Sequence, residues 1–277
     1  NRMIIHNVTR EFIIDGIGDV TDPLGLSGSR LEVVSLIIDA FSPHIRSLTR
    51  AIELSGGRLA GMFFGPIVAS RAVLSKKQKD LGVALIDIGA GTTGLSVYEE
   101  NKLIGVAKFP FGAGNISNDL AIALKIPVSA AEDLKIDVGC AVAREISSKE
   151  SVDLSKFSPE TKGTTQRRHI AGIIEIRLAE IFEFVNNELK ALGKAGQLPG
   201  GVVLVGGGAK MPGITDLSRQ ELKLTSLIGS PLREEWVIES PKLSESFEDP
   251  EFAGALGLAL GGSDEERWKL AVPSSGF

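Results

Sequence analysis

The chain has one cysteine, three histidines, two tryptophans and one tyrosine among its 277 residues. A single thiol, Cys140, cannot close an internal disulfide, so stability must rest on an apolar core and the simple reading is an intracellular protein. Cys140 itself reads as a small core residue. His6, His44 and His169 are scattered without metal-ligand spacing, and no Ser-His-Asp or Cys-His arrangement is recognisable, so no zinc site is assigned. Basic residues are not in excess: 30 Lys and Arg against 35 Asp and Glu give a net charge of −5. That balance argues against a general nucleic-acid binder, and a local basic patch stays open. No apolar stretch reaches the roughly 18 residues of a membrane span, and no signal peptide opens the chain. The first residue is Asn1 rather than Met, which reads as a fragment or a processed chain. With 43% hydrophobic and 23% charged residues, the composition supports one large or two ordinary folded domains.

Two glycine-rich turns stand out, each after an apolar β-branched run: VALIDIGAGTT at residues 83–93 and VVLVGGGAKMP at residues 202–212. Neither is a Walker loop or a complete GxGxxG fingerprint. In the first, a buried strand carries Asp87 at its end. Gly89 and Gly91, either side of Ala90, let backbone N–H groups approach phosphate oxygens without a Cβ in the way, and Thr92 and Thr93 can add hydroxyl donors. Asp87 is placed to hold waters of a phosphate-bound Mg²⁺, which keeps several waters and takes one or two carboxylates. In the second, Gly206, Gly207 and Gly208 let the backbone pass under a flat ring or an α-phosphate. Either turn alone is equally a tight strand-to-loop connection. The pair, in this order, points to two sides of one nucleotide site.

Along its length the chain alternates strand-like and helix-like segments, which predicts an α/β protein. Strands are expected at residues 3–15, 31–39, 59–64 and 83–88, the last beginning an antiparallel meander with 94–98 and 102–109. Helices are expected from Ser42-Pro43 to the Gly56-Gly57 stop, from Pro66 to Leu74, and over 115–124, 130–138 and 213–222. Residues 147–166, rich in Ser, Thr and Lys, read as an exposed loop or hairpin. Residues 168–192 form a long amphipathic helix whose apolar face reads as core packing. Residues 250–261 (PEFAGALGLALG) read as a small-residue helix able to approach a sheet closely.

These residues resemble the actin, DnaK-chaperone and sugar-kinase superfamily. There, residues 87–93 (DIGAGTT) correspond to the second phosphate loop and 206–212 (GGGAKMP), including Lys210 and Met211, to the adenosine motif. Between them AEDLKIDVG at 131–139 is similar to the helix that touches ribose and adenine. Glu132 and Lys135, three apart on one helical face, can both reach one ligand edge; the plain alternative is a solvated salt bridge. Within the superfamily the chain resembles FtsA, the actin-like membrane adaptor of bacterial cell division. The carrying matches are PLGLSGSRLE at 23–32, Asp80-Leu81-Gly82, Gly112-Ala113-Gly114-Asn115, IIEIR at 173–177 and DPEFA at 249–253.

The resemblance implies an actin-like ATPase (ribonuclease H-like) fold with four subdomains. Residues 1–57 would be an IC remnant, 58–80 and 249–265 a partial IA, 81–126 and 196–248 IIA, and 127–195 IIB. The first phosphate loop that the family carries near its N-terminus has no counterpart here, so the turn at Asp87 supplies half of a phosphate clamp and weakened ATP affinity is expected. Gly65, before Pro66, falls where MreB- and DnaK-type relatives carry a Glu that orients water, so ATP is expected to act as a conformational ligand with slow hydrolysis. The family's basic amphipathic membrane helix is not matched by residues 263–277, which set Trp268 and Leu270 beside acidic residues. The implied function is an ATP- and Mg²⁺-binding adaptor at the division site. It would assemble head to tail into filaments and join the C-terminal tail of FtsZ to the cytoplasmic face of the membrane. Arg177 is the candidate contact for that acidic tail, or else a surface Arg lying over the apolar face. Two other readings are a PilM-type pilus adaptor, against which the Gly25-Leu26-Ser27-Gly28 segment speaks, and a small-molecule kinase, for which no acceptor pocket or catalytic carboxylate is recognisable.

Overall fold

The computed structural model describes residues 1–158, 161, 163–231, 236 and 247–263, and among these residues two larger sheets and one two-stranded sheet form. The first is antiparallel, in the order β2-β1-β3, from β1 (Arg2–Ile14), β2 (Ile17–Val20) and β3 (Leu31–Phe41). Asp15 and Gly16 both take positive φ (48° and 85°), the conformation a two-residue hairpin turn needs, so β2 forms where the sequence reading left only a connection. The Asp15 carboxylate also accepts from the Ser29 and Arg30 amides at 2.8–3.1 Å, tying the 21–29 loop to the hairpin. Helix α1 (Ser42–Leu54) follows directly, with Pro43 in its first turn.

The central sheet has the order β10-β9-β4-β5-β6. Its strands are β4 (Val83–Ile88), β5 (Thr93–Glu99), β6 (Lys102–Phe109), β9 (Val202–Val205) and β10 (Ser226–Ile228). The meander β4-β5-β6 is antiparallel as expected, while β9 lies parallel to β4, and β10 parallel to β9. Strand β4 is buried on both faces, which explains its unbroken apolar run. Alternation along it divides the core. Ala84, Ile86 and Ile88 face one cluster with α4 (Ala113–Leu124), α5 (Val128–Val138), α6 (Arg167–Ala191) and α7 (Ile214–Leu222). Val83 and Leu85 face the other with α2 (Gly65–Val73) and α8 (Ala253–Ser263).

Four expectations change. Residues 59–64 are not a strand: they run extended without a ladder among the described residues, and the Phe64 amide donates to His6 Nε2 at 2.8 Å. Helix α3 (Lys76–Leu81) was unforeseen, although Ser75 and Gln78 form a reciprocal capping box. Residues 147–166 take the hairpin alternative, β7 (Ser151–Asp153) with β8 (Thr164–Gln166), and differ from expectation only in that Val152 and neighbouring Leu154 are buried rather than exposed. The close approach of helix α8 is to α2, although Ala253 and Leu260 share a core cluster with Val83 and Leu85 of the sheet: the two helix backbones come so near that a Cβ at Gly257 would collide with the Val68 carbonyl. Residues 264–277, on which the membrane-helix comparison rests, lie outside the described residues.

Two predictions follow from these contacts. Because Gly257 meets backbone rather than a movable side chain, Gly257→Ala is expected to destabilise by about 2 kcal/mol or more in chemical denaturation, whereas Gly254→Ala, with open space around it, stays within about 0.5 kcal/mol. His6 is buried and burial lowers its pKa from the ordinary 6.5. The unfolded chain therefore binds this proton more readily than the native one, so the His6 contribution is intact above about pH 6.5 and is lost as pH falls from there through the native value. His6→Gln is expected to flatten the fall in stability between about pH 7 and 5.5, read from urea midpoints.

Candidate functional site

Parallel pairing sets Asp87 of β4 beside Val205 of β9, so both glycine turns leave the same edge of the sheet from neighbouring strands. The carboxyl ends of parallel strands are where open α/β sheets hold ligands. Between the two turns and helix α5 lies a cavity of about 590 Å³. The sequence-predicted residues that line it are Asp87, Gly89 and Ala90 from the first turn, Glu132 and Lys135 from α5, and Gly206, Gly207, Gly208, Lys210 and Met211 from the second. Ala113, Ile116, Ile136, Pro212 and Glu251 complete the wall.

The glycines divide into two kinds. Gly206 has φ +84°, and a Cβ there would fall 2.5 Å from Asp87 Oδ1 and 2.6 Å from the Ile88 carbonyl. Gly208 is pressed onto the Ile88 side chain in the same way. These two serve the packing of one turn on the other. Gly207 and Gly91 differ, since a Cβ on Gly91 would meet nothing within 4 Å and one on Gly207 only the Glu251 carboxyl carbon, at 4.0 Å. Nothing within the fold requires them to be glycine.

The first turn is held from beneath by α4. The amides of Ala113 and Gly114 donate to the Gly89 and Ala90 carbonyls at 2.8 and 2.7 Å, and Asn115 Oδ1 accepts from the Gly112 amide at 2.9 Å. Gly114 is thus a support of the loop and not part of the cavity wall. Ala90, Gly91 and Thr92 keep backbone amides that donate to no partner among the described residues. Thr93 departs from expectation: it is fully buried and its hydroxyl donates to the Phe111 carbonyl at 2.9 Å, because β5 turns that side chain inward. The Asp87 carboxylate has no hydrogen-bond partner among the described residues. Burial pushes its carboxyl above the ordinary range, and the positive charge of Lys108 pulls it back only in part.

On α5 the salt bridge is half-buried: Lys135 is enclosed, while Glu132 stays partly exposed. Lys135 Nζ donates to Glu132 Oε2 at 2.7 Å, to Ser117 Oγ at 3.0 Å and to the Ala113 carbonyl at 3.2 Å, which engages all three of its protons. The Ser117 hydroxyl in turn donates to Glu132 Oε2. Burial raises Glu132, but the Lys135 and Ser117 hydrogen bonds with the Lys135 charge outweigh it and hold the carboxyl below its usual value. Lys210 reaches Asp249 at 2.6 Å and Glu251 at 3.2 Å, and the Gly206 amide donates to the Pro250 carbonyl at 2.9 Å, so the second turn is fastened to the start of α8. Sequence reasoning missed Ser117, Asp249 and Glu251 as parts of this arrangement; each is recognisable only once distant segments are brought together.

Arg177 lies away from the cavity. Its guanidinium grips Asp119 of α4 at 2.6 and 2.9 Å and reaches Glu180 at 2.7 Å. It is neither a free cation nor a side chain merely lying over apolar surface.

Sheet order, paired glycine turns and the α5 wall define the class, an actin-like ATPase fold. Solved structures agree. A chain of the PilM-PilN type IV pilus biogenesis complex matches with TM-score 0.68 and 20% identity over 94% of this chain and 66% of that one. MreB5 of Spiroplasma citri bound to ADP matches with TM-score 0.62 and 17% identity over 82% of this chain and 66% of that one. At such identities the likeness speaks for the fold alone. Sequence relatives are more specific. The family model "Cell division protein FtsA" matches residues 84–257, and "SHS2 domain inserted in FTSA" matches residues 1–38. Cell division protein FtsA of Bacillus subtilis (strain 168) is 36% identical over 83% of this chain and 52% of the relative. That of Borreliella burgdorferi is 32% identical over 99% of this chain and 66% of the relative. The chain belongs to the FtsA family of actin-like cell-division proteins, and spans about half to two-thirds of the length of these relatives.

The two kinds of glycine can be separated by experiment. Gly207→Val is expected to leave the melting temperature nearly unchanged while weakening Mg-ATP binding at least tenfold in titration calorimetry. Gly208→Ala is expected to lower the melting temperature first, by several degrees, because its Cβ meets Ile88. Equal binding by Gly207→Val and the parent chain would show that the space above Gly207 is not a ligand's.

Proposed function

We propose that this protein is an actin-like division adaptor that binds ATP in the cavity between the two glycine turns and α5, and that links FtsZ to the cytoplasmic face of the cell membrane at the division site. The observation that carries the reading is one cavity in a chain of the FtsA family, bounded by a half-buried carboxylate with no side-chain partner among the described residues, by Gly207, which the fold does not require to be glycine, and by an anchored Glu132. The residues fit a magnesium nucleotide. Asp87 would hold waters of Mg²⁺, which when bound offsets phosphate charge. The amides of Ala90, Gly91 and Thr92 would meet phosphate oxygens, as clustered backbone N–H groups do for anions. Met211 and Ile136 would flank a base, and Glu132 would accept from the sugar.

Gly65 opens α2 with no carboxylate, and space around its Cβ position is empty. ATP then serves chiefly as a conformational ligand, and rapid phosphate release lost on Asp87→Asn would overturn that part. We assign the β2-β1-β3 sheet and α1 to the IC subdomain, residues 81–126 and 196–248 to IIA, and 127–195 to IIB. Head-to-tail association through non-closing contacts gives filaments. Membrane contact is assigned, on the family resemblance, to an interfacial helix; no described helix is long and apolar enough to cross a membrane.

The FtsZ tail is proposed to dock on α6 beside Arg177, exchanging for the more exposed of its two carboxylate partners, Glu180 (50% exposed), while Asp119 (26%) stays paired. This exchange gives a test with opposite signs. A labelled FtsZ C-terminal tail peptide is expected to bind saturably by fluorescence anisotropy. Arg177→Met should weaken it about fivefold or more, and Glu180→Gln, which removes the competitor, should tighten it. Two variants that bind like the parent chain would place the partner elsewhere.

A further inference from the structure

Ser117 was not part of any motif, and it lies on α4 rather than on the helix expected to touch the sugar. Its hydroxyl is nevertheless central to a polar network behind the cavity wall. Ser117 is 1% exposed. Its oxygen accepts from Lys135 Nζ at 3.0 Å while its proton goes to Glu132 Oε2, the same oxygen that accepts from Lys135 at 2.7 Å. Both donors therefore converge on one carboxylate oxygen. Oε1 has no partner among the described residues, and the Glu132 side chain, 43% exposed, borders the cavity.

Two consequences follow from valence alone. Lys135 has no proton left for a ligand, since the Ala113 carbonyl takes the third. Glu132 cannot rotate its carboxylate without breaking two hydrogen bonds, one charge-assisted, in a network whose members polarise one another. Oε2 accepts both of those hydrogen bonds, which leaves Oε1 as the carboxylate oxygen open to a ligand on a side chain that borders the cavity, and the same bonds favour the ionised form.

We propose that Ser117 is a positioning residue for recognition of the ribose: with Lys135 it locks Glu132 so that Oε1 accepts from a sugar hydroxyl, and this lock, not a direct Lys135 contact, sets the preference for a ribonucleotide over its deoxy analogues. The inference rests on the nucleotide reading of the cavity. A fixed acceptor discriminates because the analogue lacking the hydroxyl leaves the carboxylate oxygen desolvated and unpaired. An untethered carboxylate can turn to water and forgives the loss.

The test is titration calorimetry of the full chain with Mg-ATP, Mg-2′-deoxy-ATP and Mg-3′-deoxy-ATP. The parent chain is expected to prefer ATP over the poorer deoxy analogue by about tenfold. Ser117→Ala should reduce that ratio to about threefold or less, through weaker ATP binding at unchanged affinity for the poorer analogue. Glu132→Gln should bring the ratio near one. The unchanged deoxy affinity serves as the internal check that the Ser117→Ala pocket is folded. If Ser117→Ala loses ATP and both analogues in parallel, or keeps the parent ratio, Ser117 is structural and the proposal falls. A parent chain that binds no nucleotide at all would instead refute the nucleotide reading, and the inference with it.

Discussion

The parallel pairing of β4 with β9 is the constraint on which the molecule turns. These strands are far apart in sequence, and only their adjacency sends two glycine turns out of the same sheet edge. Antiparallel pairing would place the turns at opposite ends and leave two unrelated connections. Once the strands are parallel and adjacent, the first turn has to clear the second, which accounts for Gly206 beside Asp87 and Gly208 on Ile88. The cavity is what remains above that contact, closed on its third side by α5. A cavity built this way has rigid backbone on two sides, and its electrostatics come from the few polar groups the fold does not satisfy.

Those polar groups fall into satisfied and unsatisfied sets, and the division is informative. Lys135, Ser117 and one oxygen of Glu132 satisfy one another behind the wall, and Lys210 is held by Asp249 and Glu251 at the rim. Among the described residues the Asp87 carboxylate has no such partner, and the loop amides of Ala90, Gly91 and Thr92 have none either. A half-buried carboxylate held above its usual pKa by burial carries a real cost, which a bound cation would relieve. Unpaired donors on the turn that follows an unpaired acceptor, with Ala90 and Asp87 both on the cavity wall, are complementary to a ligand that carries both anions and a cation.

Sequence reading reached this site because its strongest signals are local. An apolar β-branched run ending in Asp or Gly-Gly-Gly specifies a buried strand and the turn that follows, and both held in β4 and β9. The α5 face carrying Glu132 and Lys135 was equally local, being a matter of helical spacing. What failed was whatever depends on a distant neighbour. Residues 59–64 look like a strand, but extended residues need a ladder partner, and Phe64 gives its amide to His6 instead. Helix α8 carries small residues for an approach to α2, and no property of those residues distinguishes a helix from a sheet as the surface approached. Thr93 and Thr92 look alike in the motif, yet the pleat turns Thr93 into the core. Two short signals were present and unused: the Asp15-Gly16 turn and the Ser75 capping box.

Helix α4 links the site to the rest of the fold in a way that bears on how variants are read. Ser117 and Asp119 are two residues apart, so they point to different sides of the helix. One joins the network behind the cavity, and the other grips Arg177 on α6. The same helix supplies the Ala113 and Gly114 amides that brace the first glycine turn. A substitution that shifts α4 therefore disturbs the loop, the Glu132 lock and the Arg177 pair together. Arg177→Met removes one end of a link whose other end, Asp119, then stands half-buried and uncompensated, and α4 is free to move by whatever that charge demands. Glu180→Gln leaves the Asp119 link whole. The pair of variants consequently separates a surface that binds a partner from a strut that merely holds two helices, because a strut has no reason to respond to Glu180 with the opposite sign.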